Sequence, residues 1–127
     1  MKTRYVFDTG ALVAAERKKR RIDGFFQLVQ AGVADILVPL PVIAEWWRGR
    51  TDVREQILAA TQVIATIEIA KAAGVALAKC KRVHGPLTVD AMVMATAALC
   101  DGIVITQDPR DFAELESFFP AVVVLSV

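Results

Sequence analysis

Four carboxylates stand where chemistry could be built: Asp8, Glu45, Asp90 and Asp108. Asp8 follows the apolar run Tyr5-Val6-Phe7, and Asp108 comes just after another, Ile103-Val104-Ile105-Thr106. Glu45 falls in the first turns of a helical stretch that follows Ile36–Val38. Asp90 opens a stretch whose next ten residues carry no charge, so only its N-terminal end can hold an ionised group cheaply. Gathered together without partners, four carboxylates repel and some take up protons. A divalent cation bound by these hard oxygens removes that strain. Such an ion can activate one of its waters and stabilise the charge that develops on a phosphodiester. No histidine or cysteine nucleophile is then required. The chain has one histidine, His84, and no convincing serine-based triad.

Whether the four acids meet depends on the elements that carry them. Arg4–Phe7, Ile36–Val38, Ile103–Thr106 and Val122–Leu125 read as strands, with Val63–Ile64 a weaker fifth. They are rich in Val and Ile and lack clean alternation, as strands buried on both faces do. Helical stretches lie between them: Gly24–Ala31, Pro41–Arg48, Asp52–Ala60, Glu68–Val83, Thr88–Cys100 with Thr88 as N-cap, and a short Asp111–Phe118 stopped before Pro120. Strands alternating with helices imply a mostly parallel sheet of four to five strands covered on both sides. In such sheets the ligand site lies beyond the carboxyl ends of the strands, which is where all four acids should fall.

The 127 residues suit one domain with its own core, and 55% of them are hydrophobic. The longest uncharged stretches, such as Ala91–Cys100, are too short to span a bilayer. Asp8 breaks the first apolar run too early for a signal peptide. Cys80 and Cys100 lack metal-ligand spacing and read as buried free thiols of a reducing cytoplasm. With 15 basic and 14 acidic residues, a generally basic nucleic-acid coat is absent. Charge is concentrated instead in Arg17-Lys18-Lys19-Arg20-Arg21, read first as a solvated helix end and second as a local contact for RNA backbone or a protein partner.

The motifs resemble those of PIN domains. Phe7-Asp8-Thr9, Val42-Ile43-Ala44-Glu45 and Thr88-Val89-Asp90-Ala91-Met92 look like the segments bearing that family's first three acids. The stretch from Ile103 through Gln107-Asp108-Pro109-Arg110-Asp111-Phe112 is similar to its fourth motif. Each motif is weak alone, but four in order are specific, and the resemblance covers the chain. At this size it is most similar to the VapC toxins of toxin–antitoxin pairs. The resemblance implies a three-layer α/β fold over residues 1–127. It implies an endoribonuclease using Mg2+ or Mn2+, with Asp8, Glu45, Asp90 and Asp108 catalytic and Asp8, Asp90 and Asp108 as metal ligands. It also implies a homodimer and a VapB-type antitoxin that inserts an extended tail near the site. Gly10 stands where Ser or Asn is common, and Pro109 follows the fourth acid; both are expected in tolerant turns.

Each residue also has a plainer reading. Asp8 could cap the segment after it, Asp90 could complement a helix dipole, Asp108 could form a turn, and Glu45 could pair with Arg48 at helical spacing. Asp111 suits the N-cap of the last helix better than a ligand. Thr9 and Thr106 could orient the acids through their hydroxyls. Trp46 and Trp47 cannot both face inward, which leaves one available for an interface. Three rival functions compete. Asp8-Thr9-Gly10 matches the aspartic-protease signature, yet the Ala-rich middle does not suit a nearly all-β retropepsin. Haloacid-dehalogenase phosphatases need a second Asp where Gly10 stands. A PIN-like binding module that no longer cuts is the third.

Overall fold

Val6 and Phe7 point to opposite faces of one strand, and neither has any solvent exposure. That demands cover on both sides. The computed structural model describes residues 1–127 and shows a five-stranded sheet in which every pairing is parallel. The strands are β1 (Thr3–Phe7), β2 (Ala34–Pro39), β3 (Gln62–Ile64), β4 (Ile103–Thr106) and β5 (Val123–Ser126), in spatial order β3-β2-β1-β4-β5. The order reverses at β1, so a crevice opens between the carboxyl ends of β1 and β4. Val6 sits opposite Val104 in that pairing.

Six helices complete three layers: α1 (Thr9–Glu16), α2 (Arg20–Gln30), α3 (Leu40–Trp46), α4 (Asp52–Ala59), α5 (Ile67–Ala78) and α6 (Gly85–Cys100). α6 packs over β1, β2 and β4 and is backed by α5. Tyr5 and Phe7 share the opposite sheet face, where they meet Phe25 and Phe26 of α2 edge to face. α1 joins that layer, touching β4, α3 and α4, and Arg54 of α4 donates to Glu16 at its end, 2.9 Å away. None of the helices is long and apolar enough to cross a membrane.

Several expected boundaries move. The chain beyond Asp8 is a helix with Ala11, Leu12, Ala14 and Ala15 buried. Buried on so many sides, it has no polar stripe to announce a 3.6-residue period. Gly10 is therefore inside a helix rather than a turn. α6 begins three residues before Thr88, because His84 is its cap: the ring Nδ1 accepts from the Leu87 N–H at 3.2 Å. Pro86 fits within that first turn. α5 stops at Ala78, before the Lys79–His84 segment, which is exposed apart from Cys80. The expected last helix is instead two 3-10 turns, Pro109–Phe112 and Glu116–Phe118. Phe112 and Leu115 are fully buried, and in the bend joining the two turns the Leu115 N–H donates to the Phe112 carbonyl. Cys80 and Cys100 are free but only half-buried. A parallel sheet with helical cover excludes the retropepsin fold.

Candidate active site

Asp8 leaves β1 at the switch point, its N–H donating to the Ile105 carbonyl of β4. Its side chain then caps α1, with Oδ1 accepting from the Ala11 N–H at 2.8 Å. Capping is thus a real role of this residue, and it fixes the carboxylate at the mouth of the crevice. The neighbouring Thr9 hydroxyl donates to Glu45 Oε1 at 2.6 Å. This bond, rather than a pair with Arg48, orients Glu45, which lies in the last turn of the seven-residue α3. Arg48 donates instead to the Ala44 and Trp47 carbonyls. On the β4 side, Thr106 is buried and its Oγ1 accepts from the Asp108 N–H. Gln107 stitches the two sides together: its amide donates to the Gly10 carbonyl at 2.7 Å and its oxygen accepts from Lys19. A Cβ at Gly10 would sit 3.4 Å from Asp8 Oδ1, an ordinary contact, so a side chain is sterically acceptable there.

The electrostatics are those of an uncompensated acidic pocket. Burial is the main cause that pushes Asp8 up to about 6, with the charges of Asp111 and Glu45 adding to it. Thr106 and the Ala11 N–H work against the rise. Asp90 rises to about 7, again chiefly by burial, then through Asp111, Asp8 and Glu45. The four ion pairs of the molecule include none of Asp8, Glu45 and Asp90. Two carboxyls held this far above their usual range, facing further acids, mark a site that wants a cation.

The fourth motif is arranged differently from expectation. Asp108, not Asp111, is the cap of the 3-10 turn, accepting from the Arg110 N–H. Both its oxygens also receive the Arg110 guanidinium, at 3.0 and 3.1 Å, which holds the Asp108 carboxyl below the usual range. Asp111 stands one turn on, and its charge bears on both Asp8 and Asp90. The loop between β4 and the turn thus turns Asp108 towards Arg110 and brings Asp111 to the other acids.

These residues line an open cleft of about 650 Å3. It also takes in His84, Arg48, Gln107 and Arg110, none of which was singled out for the site from the sequence. Gln107 and Arg110 sit beside Asp108 in the motif, and His84 starts the helix that bears Asp90; those positions were the available signals. The carboxylates offer hard oxygen donors, which suit a hard divalent cation. No three acids converge tightly enough to form a ready-made cage.

Comparisons with known proteins bear on the fold and the family. A search of curated proteins finds no match. Among solved structures, a chain of VapBC2 from Rickettsia felis, bound to a DNA fragment from their promoter, is similar at 16% identity and a TM-score of 0.71, covering 98% of this chain and 99% of that one. VapBC-1 from nontypeable Haemophilus influenzae gives 13% identity and a TM-score of 0.65, covering 98% of each chain. A toxin–antitoxin complex from Klebsiella pneumoniae gives 20% and 0.63, covering 97% and 99%. These likenesses speak for the fold. The PIN domain family matches residues 5–117, nearly the whole chain, and the chain belongs to that family, whose members are nucleases.

Proposed function

We propose that this PIN domain is a Mg2+- or Mn2+-dependent endoribonuclease, the VapC-type toxin of a pair whose other member is a VapB-type antitoxin. The observation that carries the reading is the pair of buried Asp8 and half-buried Asp90, both without a cationic partner, at the switch point of a parallel sheet. Both would hold the ion, with Glu45 beside them on its Thr9 tether. Asp108, expected as a third ligand, spends both oxygens on Arg110, while Asp111 is the further acid whose charge reaches the pair. The ion, when bound, supplies a polarised water and stabilises charge on the phosphodiester. The protein's own part is to fix the acids. Ala11 N–H holds Asp8, Thr9 holds Glu45, and α6 presents Asp90 from its second turn.

The toxin reading draws on the matched folds, which come from toxin–antitoxin complexes. An apolar groove formed by Leu40, Ile43, Ala44, Trp47 and Leu58 supports it, as it suits an amphipathic helix of an antitoxin. The acidic pocket would accept an arginine from the same partner. A homodimer, acting in the cytoplasm, completes the proposal; exposed Ile67, Val75 and Leu99 offer apolar surface for self-association. The test is incubation of purified protein with structured RNAs in Mg2+ or Mn2+, then with EDTA. Cleavage that needs the metal and disappears in Asp90→Asn supports the proposal. Cleavage that ignores the chelator contradicts it. RNA binding without any cleavage would indicate a binding module, the role the open, uncaged acids would also permit.

A further inference from the structure

Arg110 is the cation whose placement the reaction leaves unexplained. Its side chain is 90% exposed and meets one carboxylate at two points: Nε donates to Asp108 Oδ1 at 3.0 Å and Nη2 to Oδ2 at 3.1 Å. The same Asp108 Oδ1 accepts the Arg110 N–H, so side chain and backbone of one residue are locked to one carboxylate. A guanidinium has five N–H donors, and this arrangement leaves all of Nη1 and half of Nη2 unused. Arg110 lines the same cleft as Asp8, Glu45 and Asp90. Arg48, the other arginine of the cleft, is turned onto the carbonyls of Ala44 and Trp47. An exposed ion pair contributes little to stability, so this one is poorly explained as a staple.

We propose that Arg110 is a positioning residue that binds a backbone phosphate of single-stranded RNA beside the phosphate to be cut, and that Asp108 aims this guanidinium instead of holding the metal. The inference rests on the nuclease reading. Its physical basis is that an arginine presenting a pre-oriented fork loses little freedom on meeting a phosphate and binds it through two charge-assisted hydrogen bonds. An anionic substrate must also enter a cleft whose acids repel it, and a fixed cation at the rim offsets that repulsion.

The experiment measures two things on the full chain. A fluorescein-labelled single-stranded RNA oligonucleotide is titrated by anisotropy in EDTA, where no metal-dependent cutting occurs, across a series of NaCl concentrations. Arg110→Ala should weaken binding about tenfold and reduce the slope of log affinity against log salt by about 0.7, the share of one phosphate contact on a single strand. Arg110→Lys keeps the charge and should recover the slope, with only part of the affinity. Mn2+ is then titrated by calorimetry. Asp108→Asn, which keeps an acceptor for the turn, should bind Mn2+ within about twofold of wild type, whereas Asp8→Asn should lose at least tenfold. An unchanged salt slope in Arg110→Ala overturns the proposal, as does loss of Mn2+ in Asp108→Asn as severe as in Asp8→Asn. Wild-type protein that cuts RNA while Arg110→Ala keeps full affinity refutes this inference alone. Wild-type protein that neither binds nor cuts RNA refutes the nuclease reading with it.

Discussion

Replacing Asp8 with asparagine should raise the stability of the metal-free protein at neutral pH while removing its metal site. Asp8 is 7% exposed, and burial lifts its carboxyl to about 6 from 3.8. Ionising it in the folded state therefore costs about 3 kcal/mol more than in the unfolded chain. The open cleft and relaxation of Glu45 and Asp111 reduce what is expressed, and asparagine gives up a favourable charge at the N-terminus of α1 worth about 0.3–1 kcal/mol. Asparagine still offers an oxygen to the Ala11 N–H, so the cap survives. A net gain of about 1 kcal/mol remains, or about 4 °C in Tm for a domain of this length. The sign follows from linkage. Both folded values, for Asp8 and Asp90, lie above the unfolded value, so the folded state binds more protons. Their favourable contribution is full below about pH 4 and is lost as pH rises through about 6 to 7. Thermal unfolding followed by circular dichroism in EDTA should show Asp8→Asn above wild type at pH 8 and level with it or slightly below at pH 4. Added Mg2+ should raise wild type and leave the variant where it was. A variant less stable than wild type at pH 8 in EDTA would refute the argument that Asp8 is a strained, uncompensated charge.

Two other perturbations test the scaffold and the partner surface. Gly102→Ala would put a Cβ 2.8 Å from Val6 Cγ2 and 3.3 Å from the Arg4 carbonyl, just after the left-handed Asp101 that ends α6; a loss of about 1–3 kcal/mol is expected, read as a lower urea midpoint at unchanged slope. Trp47→Ala empties the apolar groove beside Leu40 and Leu58 and should weaken binding of the cognate antitoxin about 30-fold by calorimetry, the scale of a buried aromatic anchor, with Mn2+ affinity untouched.

The strands were legible because a parallel sheet needs residues apolar on both faces, and Val6-Phe7 and Val104-Ile105 leave no other use for themselves. Their carboxyl ends then located Asp8 and the fourth motif without any contact being known. α1 was hidden for the opposite reason: Ala11, Leu12, Ala14 and Ala15 are buried together, so no periodic polar face betrays the helix. The start of α6 was misplaced because histidine is an unusual cap, and Thr88 four residues later looked more suitable. Asp108 and Asp111 could not be told apart by type. Both line the cleft, and which one bears on Asp8 and Asp90 depends on the pitch of a single 3-10 turn and on Arg110, whose competing pair is a matter of side-chain geometry. The Thr9–Glu45 bond joins residues 36 apart in sequence and follows only once α1 and α3 are packed.

The acids at the β1–β4 crevice are proposed to hold a divalent ion. Calorimetric titration of Mn2+ into metal-free wild type and Asp90→Asn at pH 8 tests this most directly. Both acids are then ionised in wild type, since Asp8 titrates at about 6 and Asp90 at about 7. Saturable binding to wild type is expected, with protons released on binding when the titration is repeated near pH 6.5, and loss of at least tenfold in affinity for Asp90→Asn. Equal Mn2+ affinity in the two proteins, or none in wild type, would contradict the proposal.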